Sequence, residues 1–222
     1  VGAAGLKVAG LFSPSRPADA EAFEAGLAAA SAALFSGGET VVEGRVWWQN
    51  STGTLDQMRA SCGAVAWGAI AVVGPPSSSQ TSNVQATLSP LGVPVVGMSA
   101  TAVGLSSLPN FVRVVPSDAG QGPVIAAVVE HFGWKRYVAV YQDNDYGSGS
   151  LRDLVLTLAE QEGAEVLHVP LRSTRDVLKG FTQADNNDYR IYVVSVCCDT
   201  EMLQEVFQVA ARLEALNRGA AW

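Results

Sequence analysis

Three short stretches hold the residues best able to do chemistry. The first is Gly74-Pro75-Pro76-Ser77-Ser78-Ser79, which follows an apolar run and opens a helix-like one. Free backbone N–H groups at a helix start, with the positive end of the helix dipole behind them, make an anion site. Serine hydroxyls add donors without adding charge, so Ser78 suits a carboxylate held by hydrogen bonds; ordinary N-capping by serine accounts for the same residues. No Gly-Lys-Ser/Thr follows, so this is not a phosphate loop. The second stretch, Ser99-Ala100-Thr101, also follows an apolar run and lies 21 to 23 residues beyond Ser78. That spacing is about one helix-plus-strand unit and predicts that Ser78, Ser99 and Thr101 share one sheet edge, a pocket suited to a small zwitterion, although polar turn residues before a loop look the same. The third is Tyr141-Gln142-Asp143-Asn144-Asp145-Tyr146-Gly147, in which Tyr146 could cover an ammonium group by a cation–π contact worth about 0.5–2 kcal/mol. Asp143 and Asp145 look like a paired carboxylate, but alternate residues on a loop ordinarily face solvent.

Enzymatic readings find less support. His131 and His168 have no metal-ligand spacing to each other or to a cysteine. The stretch Gly147-Ser148-Gly149-Ser150-Leu151-Arg152 begins like a dinucleotide loop but places Arg152 where the third glycine belongs. There is no Gly-x-Ser-x-Gly elbow, and nothing supplies a nucleophile with its base. The sequence therefore predicts no enzyme, no cofactor and no metal.

The elements that must position these residues follow from the hydropathy pattern. Apolar runs of strand length (6–12, 41–48, 69–73, 93–96, 111–115, 137–141, 164–169 and 189–196) alternate with helical stretches. The helices fall at about 19–35, 54–67 with Thr54 as N-cap, 77–91, 119–132, 149–162, 176–184 and 200–217. This alternation predicts an α/β fold with parallel sheets covered on both faces. It is interrupted once, between about Ser99 and Asp118, where a loop replaces the expected helix. We read that break as the crossing between two lobes, 1–117 and 118–222, with a ligand cleft beyond the carboxyl ends of the strands.

Composition agrees with a two-lobed globular chain. The 222 residues are 48% hydrophobic and 16% charged, which excludes disorder. A net charge of −7 argues against a nucleic-acid partner held by phosphate neutralisation. From Ala60 to Val112 there is no Asp, Glu, Lys, Arg or His, and the prolines and polar residues within that run prevent it from being a membrane span. Ligand charge on the first lobe would therefore be met by helix dipole and hydroxyls. The chain opens Val1-Gly2-Ala3-Ala4 with no Met and no signal-type segment, as expected of a mature product or an internal piece. Cys62, Cys197 and Cys198 form an odd set, the last two expected as buried thiols, and Asn50-Ser51-Thr52 is a glycosylation triplet that matters only in a secreted chain.

The motifs resemble one family. The segments Val73–Ser79, Val93–Val96 leading to Ser99-Ala100-Thr101, Leu105-Ser106-Ser107, Phe111–Asp118, His131–Tyr141 and Asp143–Gly147 are similar to the extracellular ligand-binding region of amino-acid receptors. That region has the type I periplasmic-binding-protein-like fold, also called the ANF receptor fold. The closing Phe207–Leu213 and Trp222 resemble plant-type glutamate-receptor-like channels, whereas the Val-Val-Pro-Ser-Asp wording resembles G-protein-coupled metabotropic glutamate receptors. The resemblance implies that Ser78 holds a ligand α-carboxylate, that Ser99, Ala100 and Thr101 contact its carboxylate and ammonium, that Asp118 lies near the ammonium, and that Tyr146 faces it from the second lobe. No residue in the first helix matches the basic group that grips a distal acidic side chain, so the implied ligand is an amino acid, not glutamate in particular. The resemblance further implies extracellular placement, attachment to a membrane by segments outside this chain, homo- or hetero-oligomerisation through lobe 1, and a fold that is C-terminally incomplete. A soluble solute-binding protein and a dimerising lobe that binds nothing are the competing readings.

Overall fold

The computed structural model describes residues 5–34, 41–50, 53–158, 163–196, 199–216 and 219–222. It divides into two compact units, Val1–Pro116 and Ser117–Trp222. Both are mixed α/β, with parallel strands flanked by helices.

The first unit holds β1 (Leu6–Phe12), α1 (Pro17–Leu34), β2 (Val42–Trp48), α2 (Thr54–Trp67), β3 (Ala71–Val73), α3 (Ser78–Leu88), β4 (Val95–Gly97) and β5 (Phe111–Arg113). Its five strands lie in the order β2-β1-β3-β4-β5, all parallel. Successive side chains of a strand point to opposite faces, and β1 shows the consequence. Ala9 and Leu11 pack with Ala60 and Ala64 of α2 and Val84 and Leu88 of α3. Val8 and Phe12 pack with Ala20, Phe23 and Leu27 of α1 on the other face. A sheet buried on both faces needs apolar residues at every strand position, which is why the inner strands β3 and β4 read as continuous apolar runs rather than alternating ones.

The second unit holds α4 (Gln121–His131), β6 (Arg136–Gln142), α5 (Asp145–Leu158), β7 (Glu165–Leu171), α6 (Thr174–Asn186), β8 (Tyr192–Ser195) and α7 (Thr200–Arg212), with strand order β7-β6-β8, again parallel. On β6, Val138 and Val140 pack toward Val177 and Phe181 of α6 and Val206 and Val209 of α7. Tyr137 and Ala139 pack toward Ala126 and Val129 of α4 and Leu151 and Leu154 of α5. Ile191 pairs with Ala221, and Trp222 stacks on Tyr192 with ring centroids 4.5 Å apart.

Several local expectations are corrected. The N-cap of α2 is Gly53, in extended conformation, and Thr54 is the first helical residue. Helix α5 begins at Asp145, four residues before the expected start at Gly149, because the Asn144 side chain accepts hydrogen bonds from the N–H groups of Tyr146 and Gly147 (3.1 and 3.0 Å) and caps it. The glycines and serines between 147 and 150 are thus helical, and Asp145 stands in a first helical turn rather than on a loop. The stretch expected as loop between Ser99 and Asn110 contains a 3₁₀ helix at Val103–Ser107. Cys62 is exposed; Cys197 and Cys198 lie outside the described residues.

Candidate functional site

In the first unit β3 and β4 are adjacent and parallel, so the segments that follow them leave the sheet at the same edge. The chain after β3 turns at Gly74, where φ is +90° and a Cβ would overlap the Leu11 carbonyl oxygen, so only glycine fits. It then enters α3 with Ser77 as N-cap, the Ser77 hydroxyl accepting from the Gln80 N–H at 3.3 Å. Capping is therefore the task of Ser77, and Ser78 is left for something else. The Ser78 Oγ, buried at 5% exposure, accepts a hydrogen bond from the Ala102 N–H at 3.1 Å. The Ser99 hydroxyl, exposed, donates to the Pro76 carbonyl at 2.8 Å. The two hydroxyl-bearing segments are thus tied to each other at both ends, with Ala100 fully buried between Ser99 and half-buried Thr101.

Arg113 holds this arrangement from the end of β5. One terminal nitrogen of its guanidinium faces the carbonyls of Ala100, Thr101 and Ala102 at 3.4, 2.9 and 3.1 Å, and the other donates to the Ser106 hydroxyl. With three carbonyls drawn to one cation, the oxygens of the 100–102 backbone are committed to Arg113. The Gln85 side-chain amide, on α3, donates to the Pro109 carbonyl and anchors the far end of the same loop. Neither Arg113 nor Gln85 was singled out from sequence. The signal for Arg113 was present: it is the first charged residue after the 53-residue uncharged run, placed at a strand end.

In the second unit α4 runs back along the sheet into β6, so its start lies at the carboxyl edge of the strands, where β6 also delivers Tyr146. Asp118 opens the 3₁₀ turn ahead of α4 and is 4% exposed. Its Oδ1 accepts from the Gln121 side chain at 2.7 Å, while its buried Oδ2 has no hydrogen-bond partner. A buried carboxylate oxygen without a donor is costly and calls for a physical reason. The Tyr146 hydroxyl lies within the field of Asp118: burial first, and then the Asp118 charge, push its pKa up. Tyr146 also lines a cavity of about 100 Å³ with Gln121, Ser150 and residues 193–196 of the β8 end. Gly147 lies against the backbone of Gln142, where a Cβ would overlap the carbonyl oxygen, so the tight join of α5 to β6 fixes where Tyr146 stands.

The expected site residues therefore fall into two groups, Ser78, Ser99, Ala100 and Thr101 on the first unit and Asp118 and Tyr146 on the second, each at the carboxyl edge of its own sheet. Asp143 and Asp145 do not form a carboxylate pair: Asp143 pairs with Arg172 at 2.6 Å, and Asp145 begins a helix. Among the described residues no group of three or more His, Cys, Asp and Glu side chains could hold a metal ion, and no helix is long and apolar enough to cross a membrane.

Comparison with known proteins gives a consistent result. Residues 24–222 match the family described as "Receptor family ligand binding region", ANF_receptor. Among curated proteins the chain is similar to Glutamate receptor 3.1 of Oryza sativa subsp. japonica, 30% identical over 158 residues that cover 69% of this chain and 17% of that protein. It is also similar to Glutamate receptor 2.9 and Glutamate receptor 2.7 of Arabidopsis thaliana, 29% and 31% identical over 154 and 157 residues, each match covering 68% of this chain and 16% of the relative. The aligned part thus spans about a sixth of the length of these relatives. With the family match extending over all but the first 23 residues, the chain belongs to the ANF-receptor family and carries a receptor ligand-binding region of the glutamate-receptor-like kind.

Proposed function

We propose that this chain is the extracellular, ligand-sensing part of a glutamate-receptor-like membrane receptor and that it binds a small free amino acid. The observation that carries the reading is the unpartnered, buried Oδ2 of Asp118, whose charge reaches the Tyr146 hydroxyl, an arrangement suited to an α-ammonium group. The first unit supplies the complement. Ser78 and Thr101 stand at an edge that contains no formal charge before Arg113, where a carboxylate would be met by hydroxyls, backbone N–H groups and the dipole of α3. In this reading 1–117 and 118–222 are the two ligand-binding lobes. Ligand fixed on the first lobe recruits Asp118 and Tyr146 of the second, and that differential contact shifts an open–closed equilibrium toward closure. The names of the similar plant proteins favour a receptor over a soluble solute-binding protein, and the segments beyond this chain would carry the membrane attachment. Assembly into oligomers through lobe 1 belongs to the same proposal.

Titration calorimetry of the complete ligand-binding region against a panel of free amino acids tests this. Binding of at least one, lost in Thr101→Ala, is expected. No heat with any amino acid, or an unchanged affinity in the variant, would overturn the assignment.

A further inference from the structure

The residues Trp48-Gln49-Asn50-Ser51-Thr52 combine an N-glycosylation triplet with a tryptophan two positions ahead of the asparagine. Strand β2 lies at the edge of its sheet, and its end alternates between inside and outside. Trp47 packs against the core with its ring 5.5 Å from that of Trp67, and Gln49 is 2% exposed. Trp48 is 44% exposed and Asn50 is exposed. Extended backbone sends every second side chain to the same side, so burying Trp47 and Gln49 turns Trp48 and Asn50 outward together. The chain is held in that phase where it leaves the strand, because the Gln49 N–H donates to the Phe12 carbonyl at 2.8 Å.

We infer that Asn50 is an N-glycosylation site whose first sugar packs on the exposed face of Trp48. The inference rests on the extracellular reading above, because the modifying machinery acts inside the secretory pathway. The co-reactant is an oligosaccharide joined through a diphosphate to a membrane lipid. The Asn50 amide nitrogen forms a bond to the sugar C1, the bond from C1 to the diphosphate oxygen breaks, the lipid diphosphate leaves with that electron pair, and the nitrogen gives up one of its two protons. Nothing is oxidised or reduced. The Thr52 hydroxyl, two residues on, is the group that makes the triplet a substrate. An indole is a broad apolar face with a negative quadrupole, and the C–H bonds on one side of a pyranose present the complementary apolar, slightly positive surface. This gives a role to a large exposed aromatic, and it places a bulky, soluble group beside an edge strand, where it would block pairing with another chain.

The full-length precursor, expressed in a eukaryotic cell, provides the test, with surface labelling run in parallel to report which side of the membrane this segment occupies. A glycosidase that releases N-linked sugars should shift its mobility and leave aspartate at position 50, read by peptide mass. Thr52→Ala and Asn50→Gln should abolish the shift, and Thr52→Ser should retain it. Removing the sugar should lower the melting temperature of the natural protein and leave that of Trp48→Ala unmoved. Unmodified Asn50 in a segment labelled at the cell surface overturns the glycosylation site alone. A segment found on the cytosolic side overturns the extracellular reading and this inference with it. An equal loss of melting temperature in the Trp48→Ala protein overturns the sugar–indole contact. The peptide mass of the natural protein needs no variant, so misfolding of a substituted chain leaves the test intact.

Discussion

Replacing Arg113 by methionine keeps the length and apolar volume of the side chain and removes the cation that gathers the Ala100, Thr101 and Ala102 carbonyls. A hydrogen bond to a charged group contributes about 1.5–3 kcal/mol, and a buried acceptor left without a donor costs about 1–3 kcal/mol. The three acceptors share one nitrogen, and water reaches this half-buried site, so the terms do not add in full; a loss of about 2–3 kcal/mol is expected. The loss should be visible at the loop itself. Ala102 donates its N–H to the Ser78 hydroxyl, and that bond survives only while the loop stays closed over α3. Amide exchange at Ala102 should therefore accelerate by about 30- to 150-fold, the equivalent of that energy in an opening equilibrium, and the urea midpoint should fall. Arg113→Lys keeps the charge but has a compact ammonium in place of the planar fork, and should restore about half of the protection. Hydrogen exchange read by NMR or mass spectrometry, with a urea titration for global stability, decides the matter. If exchange at Ala102 stays within roughly twofold of the natural protein and the urea midpoint is unmoved, Arg113 does not hold the loop and the reasoning fails.

Other consequences follow from single groups. Gly147→Ala should lower the stability of the second unit by about 1–3 kcal/mol, because its Cβ would overlap the Gln142 carbonyl and force α5 off β6; thermal melting measures it. Tyr137 is fully buried with an unpartnered hydroxyl, and burial pushes its pKa up to about 12. Because the folded chain retains that proton between pH 10 and pH 12 when the unfolded chain releases it, stability falls as pH rises through this window, by about 1.4 kcal/mol at pH 11. Tyr137→Phe should be no less stable at neutral pH and should remove that part of the alkaline loss, as denaturant titrations at pH 8 and pH 11 would report. Asp118→Asn, which removes a buried charge with one unpartnered oxygen, should leave the unliganded protein at least as stable while weakening amino-acid binding by more than about tenfold. A destabilised variant with unchanged affinity would assign Asp118 a purely structural task.

The α/β alternation was readable because the inner strands β1 and β6 are buried on both faces while the helices pack one face on a sheet, so their apolar patterns differ in kind. The places where the reading failed share a cause. Asn144 caps α5 through its side chain, but Gly147 and Gly149 within the first turns look like breakers, and Gly147 serves to let α5 approach β6 rather than to end a helix. Ser77, Ser78 and Ser79 are chemically alike, and only the contact of Ser78 with Ala102, 24 residues away, separates the cap from the residue that faces the second segment. Arg113 and Gln85 act on backbone carbonyls of a loop, and a carbonyl leaves no mark in the side-chain sequence. Ser78, Thr101, Asp118 and Tyr146 were singled out with the help of family resemblance, and the strand-turn-helix units place each at the carboxyl edge of its own sheet.

The most direct test of the amino-acid-receptor account is a calorimetric comparison, on the complete ligand-binding region, of a binding amino acid with two derivatives of it, the N-acetyl and the α-carboxamide forms. The account predicts that each derivative loses most of the affinity and that, in Asp118→Asn, acetylation costs little further because the partner of the ammonium is already gone. Derivatives that bind as well as the free amino acid, or an acetylation penalty as large in Asp118→Asn as in the natural protein, would contradict it.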